Sequence, residues 1–180
     1  NRYADFDKSM QYLIKAKEVY KDVKGYEDIK GDLYYQLVMN DLKIGNITNA
    51  EEYIEKLKNT NFNNNIEAML FYLQGKYQLA LERIDAANKI RLNKIKPTDL
   101  VLTANYLLRL QILNYLGEYQ KAYIQAEQLY NMHKPNKKED HLIFGRIYTQ
   151  MAKAELGLGD IDKASDHITK ALAIFLADEK

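Results

Sequence analysis

Apolar residues recur three and four positions apart along most of the chain. Ile54 and Leu57 show the spacing, as do Ile84 and Ala87, Ala126 and Leu129, and Ile168 and Ala171. That period places apolar side chains on one face of an α-helix. No segment alternates apolar and polar residues as a half-buried strand would. The pattern predicts nine helices, over residues 2–23, 27–44, 48–59, 63–74, 77–94, 98–116, 119–133, 138–157 and 161–178. Pro97 and Pro135 fall in connections, at a helix edge where a missing N–H does no harm.

A short phrase recurs between helices: Gly, a polar residue, Tyr or Ile, two residues, Ala. It reads Gly45-Asn46-Ile47-Thr48-Asn49-Ala50, then Gly75-Lys76-Tyr77-Gln78-Leu79-Ala80. It returns as Gly117-Glu118-Tyr119-Gln120-Lys121-Ala122 and Gly159-Asp160-Ile161-Asp162-Lys163-Ala164, and a degenerate copy starts at Ala4. The spacings are 41 (4 to 45), 30 (45 to 75), 42 (75 to 117) and 42 (117 to 159). The glycine lets one helix end in a left-handed turn without a Cβ clash. The next helix starts at once, its Tyr or Ile packs back on the first, and the small Ala lets the two approach closely. Ala50, Ala80, Ala122 and Ala164 are therefore expected to be buried at helix crossings. The units read as a half-repeat (1–25) and repeats over about 26–60, 61–96, 97–137 and 138–180, all in one repeat domain spanning 1–180. The segment from Asn61 to Asn65 shortens the second unit.

The best-formed unit carries Tyr148, Met151, Ala152, Gly159, Ala164, Ile168 and Ala171; the second carries Ala68, Phe71, Gly75, Ala80, Ile84 and Ala87. At these spacings the chain resembles the tetratricopeptide repeat (TPR) family over essentially its whole length. Its long period resembles that of kinesin light chains and of several bacterial peptide-sensing regulators. The resemblance implies an all-α TPR-like α-solenoid of antiparallel helix pairs. It also implies a scaffold whose first helices line a groove for a protein or peptide ligand. Three positions depart from the pattern. Asp41 and Glu155 stand where an aromatic is usual, and Arg109 where an apolar residue is usual. Either these are buried ions, or the helices are rotated from the family register. Arg109 is expected to pair with a carboxylate, first Glu155 and then Glu118. The Lys and Asn clamp with which some TPR proteins grip a C-terminal carboxylate is missing: Tyr35, Met39, Ala104 and Leu108 hold its places.

Composition narrows the function. Twenty-six basic against 25 acidic residues leave a net charge of +1, so no global field draws in nucleic acid or anionic membrane. There is no Cys, which removes disulfides, thiolate nucleophiles and Cys-based zinc sites, and fits a cytoplasmic setting. No apolar run is long enough to span a membrane and the first residues do not form a signal peptide. The chain opens without Met inside a helical pattern, which points to a piece of a longer protein. Abundant Lys, Asn, Ile and Tyr point to an AT-rich, bacterial genome.

Catalytic chemistry finds little support, and no catalytic, metal or cofactor-binding residue is singled out. Neither serine, Ser9 nor Ser165, lies in a nucleophile-elbow context. The histidines, His133, His141 and His167, lack metal-ligand spacing, and His133 and His141 read as solvated residues flanking a polar linker. Asp160 reads as a helix N-terminal residue favoured by the helix dipole. The basic stretch Lys89, Arg91, Lys94 and Lys96, and the lysines Lys134, Lys137 and Lys138, read as solvated loop edges. Most of the 15 tyrosines fall at core spacing as large residues with a polar tip.

Counting back from each turn glycine gives the expected groove positions. They are Tyr35, Met39 and Leu42; Asn65, Met69 and Tyr72; Leu107, Gln111 and Asn114; and Arg146, Thr149, Gln150 and Lys153. Amides suit a peptide backbone because one carboxamide both donates and accepts. Arg146 and Lys153 would receive an acidic part. The favoured function is a non-catalytic peptide-binding scaffold. The alternative is a ligand-sensing regulatory module whose effector domain lies outside this chain. The terminal helices, lacking a polar cap, are expected to be covered by another copy or by further protein.

Overall fold

A computed structural model describes residues 2–20, 26–55, 57, 63–93, 96–136, 138 and 141–178. Connection 21–25, Lys94, Lys137, Glu139 and Asp140 lie outside the described residues. The chain gathers into two compact units, Asn1–Arg83 and Ile84–Lys180. The first holds α1 (Arg2–Tyr20), α2 (Tyr26–Lys43), α3 (Ile47–Glu55), α4 (Asn63–Leu73) and the start of α5 (Tyr77–Leu92). The second holds the rest of α5, then α6 (Leu100–Tyr115), α7 (Tyr119–His133), α8 (Leu142–Leu158) and α9 (Ile161–Asp178). A 3₁₀ turn, Lys134–Asn136, follows α7. All secondary structure among the described residues is helical, as the periodicity predicts.

The recurring phrase makes the same joint four times. Gly45, Gly75, Gly117 and Gly159 all have positive φ, between 72° and 84°. Around Gly159 the Asp160 N–H donates to the Glu155 carbonyl at 2.9 Å and the Gly159 N–H to Leu156 at 3.1 Å. These two bonds cap the last carbonyls of α8 in the Schellman manner. The Asp160 carbonyl in turn accepts from the Ala164 N–H, the first bond of α9. One residue thus closes one helix and opens the next. The joints at Asn46, Lys76 and Glu118 repeat the same bonds. Ala50, Ala80, Ala122 and Ala164 are 0, 0, 0 and 2% exposed. A larger side chain there would force the paired helices apart.

Each unit has its own apolar core. In the first, Leu37, Val38 and Leu42 of α2 meet Ala50 and Ile54 of α3, Leu57 beyond it, and Ile66 of α4. In the second, Leu107 and Leu110 of α6 and Leu129 of α7 meet Phe144, Ile147 and Met151 of α8. Tyr130 packs edge-on against Phe144 at 5.2 Å between ring centres. Within the first unit α2 touches α4, and within the second α6 touches α8, so first helices of successive pairs lie side by side.

Several residues stand differently from expectation. Tyr77 packs back as expected, its ring 6.0 Å from Tyr72 of α4. Tyr119 lies over Gly157 of α8, filling the space a Cβ there would occupy, whereas Ile161, expected to pack back, is 69% exposed. His133 is not solvated. It ends α7 pointing inward, 1% exposed, its Nε2 3.0 Å from the Thr103 hydroxyl of α6. His141 is exposed and caps α8, its Nδ1 accepting from the Ile143 N–H at 3.2 Å. That cap is why α8 begins at Leu142 and not at 138. Asp41 and Glu155 are both 2% exposed, so they are buried acids on helices that keep the repeat register. Asp41 accepts from Asn46 Nδ2 at 3.3 Å, and Glu155 sits 2.8 Å from His167 Nδ1.

The repeat frame also exposes a contrast. Tyr119 and Tyr130 of α7 are half-buried and Ala126 fully buried, with α8 packed on that helix. Their counterparts on α9, Ile161, Leu172 and Ile168, are exposed, as is Leu176.

Candidate functional site

The first helices supply the expected groove positions, and the structure sorts these into two kinds. Tyr35 and Met39 of α2 and Met69 and Tyr72 of α4 are half-buried, and Asn65 is buried. Leu107 belongs to the core of the second unit. Asn114 and Gln150 are buried and face one another: Asn114 Nδ2 donates to the Gln150 carbonyl at 3.2 Å and to Gln150 Oε1 at 3.3 Å. Amides expected to meet a peptide backbone thus tie α6 to α8. Thr149 is half-buried and its hydroxyl donates to the Gly145 carbonyl at 2.8 Å.

Arg146 and Lys153 of α8 are exposed, and Gln111 of α6 is half-buried. Positions seven apart fall on one side of a helix, here two turns or about 10 Å along it. Ala104 and Tyr115 of α6, seven before and four after Gln111, and Leu156 of α8, three after Lys153, are also exposed. Lys153 Nζ stands 5.9 Å from the centre of the Tyr115 ring, a residue absent from the expected set. Its position four after Gln111 was the available signal. Helix α6 contains no Asp or Glu. The one acid of α8, Glu155, is buried against His167. Among the described residues no carboxylate pairs with Arg146 or Lys153.

A second feature lies on another side of α6, between α5 and α7. It is a crevice of 280 Å³ floored by Leu110, Leu129 and Met132. Arg109 stands in its wall and does pair with a carboxylate, but with neither expected partner. Its Nε donates to Asp85 Oδ1 at 2.5 Å, its Nη2 to Asp85 Oδ2 at 3.2 Å, and its Nη1 to the Gln125 side chain. Glu155 is held by His167, and Glu118 pairs with Lys121 at 2.8 Å. Asp85 was not legible as a partner because it lies 24 residues away on the second helix of the preceding pair. Burial pushes the Tyr106 phenol up from its ordinary pKa against the opposing effect of Arg109, so it remains an O–H donor at neutral pH.

No family model matches the sequence, and no curated relative matches it. Solved structures do. BtubC from P. vanneervenii is 16% identical with a TM-score of 0.71, over 99% of this chain and 76% of that one. A Podosopora anserina kinesin light chain protein with nearly identical TPR-like repeats is 14% identical, TM-score 0.64, over 99% and 91%. MamA is 19% identical, TM-score 0.57, over 99% and 93%. At these identities the likeness is one of fold. With four identical glycine joints and buried alanines at each crossing, this chain has the TPR-like, all-α helical-repeat fold.

Proposed function

We propose that the chain is a non-catalytic scaffold that binds an acidic, extended segment of another protein across the adjoining faces of α6 and α8. The observation that carries this reading is the exposed pair Arg146 and Lys153, on a face with no carboxylate of its own. The Asn114–Gln150 bonds fix the two helices, so the face is formed before a ligand arrives. A preformed face loses less freedom on binding. A peptide extended as polyproline II rises about 3.1 Å per residue with about three residues per turn, so acids three residues apart share one side and span the two cations. Tyr115 and Leu156 offer apolar contact beside them.

The test is fluorescence anisotropy with a labelled extended peptide carrying two Glu three residues apart beside a Leu, and a control with Lys in place of Glu. The wild type should take the acidic peptide, more weakly as salt rises. The double variant R146E/K153E should bind it about tenfold less tightly, on the order of 1.4 kcal/mol. Equal binding by the two proteins, or preference for the Lys peptide, sinks the reading.

A further inference from the structure

The crevice between α5 and α7 has a second use, independent of the peptide face because it shares no residue with it. A guanidinium has five N–H donors. Asp85 and Gln125 take three of those on Arg109. The other two have no acceptor among the described residues. The Asp85 oxygens each accept from Arg109 and retain further lone pairs. The wall therefore shows an unused positive edge next to an unused negative one.

These charges decide what fits. A lone anion is attracted by Arg109 and repelled by Asp85, and a lone cation meets the reverse. A ligand carrying both charges a few ångströms apart matches both without breaking the pair. The floor of Leu110, Leu129 and Met132 is apolar and takes an aliphatic group. The side-chain amides of Asn88 and Gln128 stand at the same crevice as neutral donors and acceptors. Its 280 Å³ lies just below the range for drug-sized ligands, about 300–1,000 Å³, which suits a ligand the size of one residue.

The geometry points to a binding site for a free aliphatic α-amino acid, its carboxylate on Arg109, its ammonium on Asp85 and its side chain on the Leu110–Leu129–Met132 floor. Isothermal titration of the whole chain tests this with three probes. L-leucine carries both charges, N-acetyl-L-leucine only the carboxylate, and L-leucinamide only the ammonium. Leucine should bind saturably, and each derivative about tenfold or more weakly, since each loses a charge-assisted bond. Asp85→Asn keeps an oxygen for the Arg109 Nε and removes the negative charge. It should reverse the order, so that N-acetyl-leucine binds better than leucine. A merely structural ion pair would not produce that reversal. Met132→Trp fills the floor and leaves the pair intact. It should abolish leucine binding with the helical circular dichroism unchanged, and it decides the matter if the Asp85 variant misfolds. No saturable leucine binding, an unreversed order in a folded Asp85 variant, or undiminished binding by the Met132 variant overturns the proposal.

Discussion

Asp41 shows how one buried acid shapes stability. Burial raises its pKa above the ordinary carboxylate value, and the Asn46 hydrogen bond opposes the shift only in part. An acid whose folded pKa lies above its unfolded one favours folding below the unfolded value. That contribution is lost as pH rises through the folded pKa. Above the unfolded value Asp41 therefore works against the fold. Asp41→Asn keeps an acceptor for Asn46 and removes the charge. Urea unfolding should give it a higher midpoint than wild type at pH 7, with the gap closing toward pH 3. Gly157 is a second case. Ala in a helix is ordinarily better than Gly by about 1 kcal/mol. At Gly157 the Tyr119 ring already occupies the place of a Cβ. Gly157→Ala should lower stability by roughly 1–2 kcal/mol through overpacking. In a Tyr119→Ala background the same change should stabilise, which thermal melts of the four proteins would read. Sequence reading flagged Asp41, Glu155 and Arg109 as misplaced, but not their partners. His167 and Asp85 are set by helix packing, which no local pattern encodes, whereas Asn46 lies five residues from Asp41 within the joint, where the phrase shows its backbone role and not its side-chain one.

Among elements, the joint was legible because it is local. Gly, the capping residue after it and the Ala four residues further lie within a few positions, and each has its own steric reason. Helix identity was legible too, since the period of 3.6 persists through long segments. The start of α8 was missed because its cap is His141, an uncommon residue for that place. The inward turn of His133 was missed because the linker after it is polar, and polarity nearby is not exposure. The groove positions were placed on the first helices, yet Leu42, Asn65, Leu107, Asn114 and Gln150 proved buried. Rotation of a helix by part of a turn decides which residues face a neighbour, and the repeat phrase does not encode that angle. The alanines are the element-scale test. Ala122→Leu or Ala164→Leu should destabilise by roughly 1–3 kcal/mol, seen as a lower thermal midpoint.

For the whole molecule, charge and composition set broad bounds. The near-balance of 26 basic and 25 acidic residues leaves local arrangement to decide what binds. No helix among the described residues is long and apolar enough to cross a membrane. The bare stripe of Ile161, Ile168, Leu172 and Leu176 on α9 gives the molecule an open valence, a place where the same architecture can grow. A gene encoding a further copy of residues 138–178, joined in the 42-residue register (117 to 159), would set a new first helix on that stripe. Stacked repeats gain stability from each new interface. Covering these side chains should add about 2–5 kcal/mol, read as a higher denaturation midpoint for the lengthened protein. An unchanged midpoint would mean that α9 is shaped for a different neighbour, and that the pattern which builds the chain from within does not extend it.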